Sequence, residues 1–265
     1  MKNHMLKGKC ALITGSTQGL GYAMAERLAA DGCHIVLNGF GDPTEIEAKR
    51  RRLEESGGVR ALHHGADLSA PGEIATLVEA AERAFGAVDI LINNAVVRHF
   101  APLESFKVED WDRALAVNLS AAFHTTRLVL PGMRRRDFGR IVNISSIFGR
   151  RATVNRVDYV TTKTALIGFT RAVALEVAGQ NITCNAICPG SSPTPAIEAR
   201  LADFMAQHED LPRDEAIRTF MASRQPSGRF VAMDGVASLA AFLCGPGGRD
   251  ITGAALPIDG GWSAG

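Results

Sequence analysis

Tyr159 and Lys163 stand four residues apart in a stretch with helical spacing, so their side chains share one face. A free phenol titrates near pH ~10, and a close ammonium favours the phenolate, as would the positive ring of an oxidised nicotinamide. Such a tyrosine can take the proton of an alcohol while hydride leaves its carbon. Tyr-x-x-x-Lys is common by chance, so its company decides. Ser146 ends an apolar run upstream, where a hydroxyl can bond the substrate oxygen. Asn118 falls in a helical stretch, where a side-chain amide can disrupt helical bonding and hold a water. Taken singly, Ser146 reads equally as a strand-end cap and Asn118 as a surface amide.

A second constellation precedes these. Thr14-Gly15-Ser16-Thr17-Gln18-Gly19-Leu20-Gly21 follows the first apolar run and opens a helical pattern. Glycines there let backbone N–H groups approach a pyrophosphate, and the helix N-terminus favours its charge. At the end of the second run, Asn38-Gly39-Phe40-Gly41-Asp42 holds neither a ribose-binding carboxylate nor an arginine in the expected place. Asp42 would repel a 2′-phosphate, and Lys49 to Arg52 fall a helix turn or more further on, which favours NAD over NADP. Asp67, followed by Leu68, could accept from an adenine amino group or cap the next helix. Asn94 could join backbone and ribose, or bridge loops.

The elements that must position these groups are legible. Apolar runs at Cys10–Thr14, His34–Asn38, Arg60–His64, Val88–Asn93, Arg140–Ser145, Ile182–Ile187 and Ala254–Ile258 read as strands buried on both faces, hence a parallel sheet. Helical patterns separate them, at Gly21–Asp31, 72–85, Trp111–Arg136 and 158–178. The Trp111–Arg136 stretch should break near Pro131-Gly132. This alternation predicts an α/β fold: one Rossmann-type domain over 1–265, with a doubly wound parallel sheet. Residues 191–228 interrupt the alternation between the last two strands and predict a helical substrate lid.

Composition excludes other classes. The 265 residues carry 29 basic and 28 acidic groups, a net charge of +1, which gives no case for nucleic acid or an anionic membrane. No stretch offers the ~20 apolar residues of a membrane span, and the N-terminus lacks a secretory signal's apolar core. The five cysteines form no evident disulfide framework or metal site; they read as packed thiols of a reducing cytoplasm. Arginine outnumbers lysine 23 to 6, and bidentate grip on an anion is what arginine adds.

Together these motifs resemble the short-chain dehydrogenase/reductase family over essentially the whole chain. Thr14–Gly21, Asp67, Asn93–Ala95, Asn118, Ser146, Tyr159/Lys163 and Pro189-Gly190 carry the resemblance. It implies a catalytic tetrad. Tyr159 is acid/base, Lys163 binds the nicotinamide ribose, Ser146 orients substrate and Asn118 sustains a water-linked proton relay. Pro189, Gly190, Ser192 and Thr194 are implied cofactor contacts. Val96 departs from the family's glycine after Asn-Asn-Ala.

Within the family the chain is similar to bacterial D-3-hydroxybutyrate dehydrogenases, through Val36–Asp42, Gly65–Ser69, Ala186–Gly190, Arg224–Ser227 and Asp259–Trp262. That likeness implies NAD, a cytoplasmic homotetramer, Phe40 against the adenosine and Trp262 near the substrate's apolar end. Those enzymes hold a carboxylate with Gln, His, Lys and Gln, and the matching positions here are Arg98, Phe148, Arg156 and Arg200. Up to three guanidinium groups are costly to bury around a monocarboxylate. They point to a small hydroxy acid, interconverted with its keto form, bearing a sulfonate, phosphonate or second carboxylate. Similar dehydrogenases of hydroxyalkyl sulfonates place arginines near positions 156 and 200. Alternatively, Arg98 or Arg200 faces solvent or pairs with Glu198 or Asp203. Two other readings stand beside this one: a D-3-hydroxybutyrate dehydrogenase with an altered pocket, and a non-catalytic NAD-binding regulator.

Overall fold

A computed structural model describes residues 6–193, 195–222 and 224–264. Seven parallel strands form one sheet in the order β3-β2-β1-β4-β5-β6-β7. They are β1 (Cys10–Ile13), β2 (His34–Asn38), β3 (Ala61–His64), β4 (Ile90–Asn93), β5 (Gly139–Ile144), β6 (Ile182–Pro189) and β7 (Ala255–Ile258). The order reverses between β1 and β4, so a crevice opens at the carboxyl ends of those strands.

Helices cover both faces, as the two-sided burial of the strands requires. One face packs α1 (Gly19–Ala30), α2 (Pro43–Gly57) and α9 (Met233–Cys244) through Leu28, Leu53 and Ala240 onto Ala11 and Ile13. The other packs α3 (Pro71–Phe85), α5 (Ala121–Arg136) and α6 (Val157–Val177) through Leu77, Val129 and Val177 onto Cys10 and Leu12. Alternate residues of β1 thus serve opposite cores, the period-two signature of a strand.

The long helical stretch differs from its expectation. Pro131 sits inside α5, which runs unbroken to Arg136. The interruption lies earlier, where α4 (Val108–Leu115) passes into α5 through a π turn, Ala116–Ser120, centred on Asn118. A π turn fits one extra residue into the helix and is frequent at functional sites. Between β6 and β7 the chain forms α7 (Pro195–Ala206) and α8 (Arg213–Ala222). Among the described residues no helix is long and apolar enough to cross a membrane. All five cysteines are buried free thiols.

Candidate active site

The glycine turn joins β1 to α1. Gly15 has φ +61°, and a Cβ there would lie 2.7 Å from the Ala95 Cα. A Cβ at Gly21 would run into the Gly15 carbonyl and lie 2.7 Å from the Asn94 Nδ2. Both positions therefore need glycine for the turn to close. Asn94 donates to the carbonyls of Thr14 (3.0 Å) and Gly15 (2.8 Å), locking the β4 loop to the turn. Gln18 stands in extended conformation at the start of α1, and Thr17 Oγ1 donates to the Phe40 carbonyl. Phe40 is 63% exposed beyond β2, available to stack on a flat ring. Asp42 caps α2 by accepting from Glu45 N. One sequence expectation is corrected here. Lys49 is not remote from the site, because α2 folds back and its ammonium donates to the Thr17 carbonyl at 2.9 Å.

Asp67 accepts from both the N–H and the hydroxyl of Ser69, which holds its carboxyl below the ordinary aspartate range. Asp67 thus closes a turn with Ser69 and does not cap α3, which begins at Pro71 after Ala70, a residue without a side-chain cap. Leu68 buries its side chain in the core cluster that holds Ile74 and Leu77, which leaves its main chain as the part able to meet a ligand. Thr194 lies outside the described residues.

The crevice continues as a cleft of about 340 Å³ that brings together Ser146, Tyr159 and Lys163 with Leu20, Asn94 and Ser192. Pro189 and Gly190 line it from the end of β6, and Val96 from the β4 loop. Ser192 Oγ is buried without a hydrogen-bond partner, as expected of a hydroxyl awaiting a ligand's polar group. A cleft that runs from a glycine turn to Tyr159 and ends in such orphaned polarity fits a nicotinamide dinucleotide.

Three side chains of the tetrad are fixed by main-chain partners. Lys163 is fully buried, its Nζ donating to the Ile144 carbonyl at 2.6 Å and lying 5.8 Å from the Tyr159 ring centre. Burial first, then the charge of Arg98, bring its pKa down to about 7. Ser146 Oγ accepts from Phe148 N at 3.1 Å, capping the short turn Ile147–Gly149 and leaving its proton free to donate. The cap and the substrate roles are thus compatible. Asn118 differs from the expected water holder. Its Oδ1 accepts from Val97 N (2.8 Å), while its Nδ2 donates to Val97 O (3.0 Å) and Thr162 Oγ1 (3.3 Å). The amide clamps the loop that carries Val96 and Arg98.

Beneath the cleft a buried polar chain registers the elements. Asn93 donates to Asn143 (2.8 Å) and accepts from Thr125 (2.7 Å), and Asn143 donates to Thr170 (2.9 Å). It ties β4, β5, α5 and α6 together, where a one-sided substitution would orphan a partner. Asp158, wholly buried at the start of α6, accepts from Tyr159 N and from His99 Nδ1 at 2.9 Å.

Arg98, Arg156 and Arg200 all line the cleft. Arg156 stacks over Tyr159, its guanidinium carbon 4.2 Å from the ring centre, and lies 4.5 Å from the centre of Phe100. Its Nε is buried without a partner. Burial, with repulsion from Arg98 and Arg200, lowers its pKa from the ordinary arginine value despite the pull of Tyr159 and Asp158. Arg98 stands 5.6 Å over the same tyrosine ring. The alternative pairing of Arg200 with Glu198 does not occur: Glu198 takes Arg213 at 2.8 Å. Among the described residues none of the three cleft arginines makes an ion pair. Phe148 meets Tyr159 and Trp262 edge-on, at 6.4 and 5.4 Å between ring centres. Sequence reasoning missed Phe100, Arg151 and Arg224. Arg151 is an exposed loop residue whose guanidinium donates to the Trp262 carbonyl at 2.6 Å.

Comparison with known proteins agrees with this geometry. A family model described as "short chain dehydrogenase" matches residues 9–203. The chain is 44% identical over 261 residues to the D-beta-hydroxybutyrate dehydrogenase of Cupriavidus necator, covering 98% of this chain and 100% of that one. It is 43% identical to the Rhizobium meliloti protein of the same name, covering 97% and 99%. Among solved structures, the L-sorbose reductase of Gluconobacter frateurii, complexed with NADPH and L-sorbose, superposes with a TM-score of 0.90 at 31% identity, covering 98% of each chain. With the glycine turn, the Ser146/Tyr159/Lys163 cleft and these matches in hand, the chain belongs to the short-chain dehydrogenase family.

Proposed function

We propose that the protein is an NAD-dependent oxidoreductase that interconverts a small hydroxy acid and its keto form, and that the acid carries a strong anion: a sulfonate, a phosphonate or a second carboxylate. The observation that carries this reading is Arg156, stacked on Tyr159 with a buried, unpartnered Nε. Charge-assisted bonds to an anion would satisfy it and offset the repulsion among three unpaired guanidinium groups.

In this reading Ser146 donates to the substrate oxygen and Tyr159 takes the hydroxyl proton. Lys163, its Nζ 5.8 Å from the Tyr159 ring centre, supplies the ammonium field that favours the phenolate and bonds the cofactor ribose. The bound nicotinamide serves as hydride acceptor. Asn118 keeps Arg98 and Val96 in place by holding the Val97 main chain. Trp262 and Phe148 close the apolar side of the substrate, and α7 with α8 serves as a lid. NAD is favoured over NADP because Asp42, not an arginine, stands two residues after Phe40. Lys49 beside Thr17 is the group to watch. The exposed Phe123, Leu175 and Phe242 support self-association, for which we propose a homotetramer in the cytoplasm.

The test is a panel of 3-hydroxybutyrate and its sulfonate and phosphonate analogues with NAD and NADP, read as NADH or NADPH absorbance. Higher kcat/KM for a stronger anion with NAD is expected. Equal or better turnover of 3-hydroxybutyrate would return the chain to the activity named for its Cupriavidus relative. Loss of turnover in Tyr159→Phe, with NAD binding retained, separates an enzyme from a cofactor-binding regulator.

A further inference from the structure

Adjoining the cleft is a larger chamber of about 670 Å³, and Phe148 and Trp262 line both. It shares Arg156, Arg200 and Ile197 with the cleft and adds Arg224, Val154 and Arg151. Arg200 comes from α7 and Arg224 from the chain just after α8. Their guanidinium carbons lie 5.9 and 5.5 Å from the same ring, Phe220. Among the described residues neither makes an ion pair or a side-chain hydrogen bond, and the nearby carboxylate of Glu198 is committed to Arg213. Arg224 loses part of its proton affinity to burial and then to the charge of Arg200. Two cations crowded on one ring without a counter-ion form a pair that a shared anion would relieve. The same chamber is lined by the apolar side chains of Ile197, Phe100 and Val154, with Thr153 and Ser191 as its polar residues beside the arginines.

We propose that the substrate is an elongated hydroxy acid with two anionic ends, the reacting end held at Arg156 and the distal anion held between Arg200 and Arg224 across an apolar chain. This rests on the hydroxy-acid activity proposed above and narrows its substrate. A four-carbon monoacid engages only the first of the two sites. A dicarboxylate of suitable length engages both, and the second interaction is intramolecular once the first has formed.

The experiment is steady-state kinetics of the full-length enzyme with NAD on matched pairs: 3-hydroxyhexanoate against 3-hydroxyadipate, and 3-hydroxyoctanoate against 3-hydroxysuberate. At one chain length the dicarboxylate should have a KM at least tenfold below its monocarboxylate partner. Arg224→Gln and, separately, Arg200→Gln should bring that ratio towards one. A ratio at or below one at both lengths, or a tenfold ratio that survives both substitutions, overturns the second anion site. If instead Arg156→Gln leaves KM unmoved for every acid, or no acid is oxidised, the underlying hydroxy-acid reading fails, and this inference with it.

Discussion

Replacing Lys163 by methionine should change how the stability of the cofactor-free protein depends on pH. Burial and Arg98 lower the lysine pKa from 10.5 to about 7. Between those values the unfolded chain binds a proton that the folded chain lacks, so stability rises with pH across that window. Below about 7 both states are protonated and the full cost of the buried charge is present. At about 1.4 kcal/mol per pH unit the whole gap corresponds to about 5 kcal/mol, of which about 3 kcal/mol is relieved between roughly pH 6 and 9. Methionine fills similar volume without charge but leaves the Ile144 carbonyl without its donor, at a pH-independent cost of about 2 kcal/mol. The variant should therefore be about 3 kcal/mol more stable than the parent near pH 6 and roughly equal to it near pH 9, while being inactive. Urea unfolding of both proteins across that range reads the difference directly. A stability difference that does not change with pH refutes the burial argument, and greater destabilisation at pH 6 than at pH 9 inverts it.

Three further outcomes follow from the geometry. Asn118→Ala strips Val97 of both its main-chain partners and should lower stability by about 2 kcal/mol, with kcat falling more than tenfold, by denaturation and turnover assays. Gly21→Ala places a methyl against the Gly15 carbonyl and Asn94, so the Kd for NADH should rise at least tenfold in a fluorescence titration while the fold is retained by circular dichroism. His99→Ala leaves the wholly buried Asp158 short of a donor beside Tyr159, at about 2 kcal/mol, and should depress kcat more than KM; an unchanged kcat would separate this contact from catalysis.

How far the sequence carries depends on the range of the interaction that decides each feature. Strand existence is a local pattern, and runs such as Ile90–Asn93 and Gly139–Ile144 are apolar enough on both faces to declare a buried parallel sheet. The glycine turn and the Tyr159/Lys163 pair are likewise local spacings. The break in the long helix was misplaced because proline is the strong local signal, yet Pro131 sits within α5 and the π turn is set by Asn118 reaching across to Val97. Lys49 looked remote because sequence distance ignores how α2 folds back on the first turn. Arg224 and Phe100 were not picked out as site residues because segments distant in sequence bring them to the cleft, Phe100 from the loop after β4 and Arg224 from the chain just after α8. The resemblance placed Arg98, Arg156 and Arg200, but whether they meet carboxylates or open space depended on the Glu198–Arg213 pair, a contact between two lid segments.

The central claim is that Arg156 binds the substrate's anion, and Arg156→Gln tests it most directly. Losing a buried charge-assisted contact beside the reacting tyrosine should cost about 3 kcal/mol of transition-state binding, or roughly 100-fold in kcat/KM for the preferred anionic hydroxy acid. Most of that loss should appear in KM, with NADH affinity intact. A kcat/KM within twofold of the parent enzyme would contradict the account.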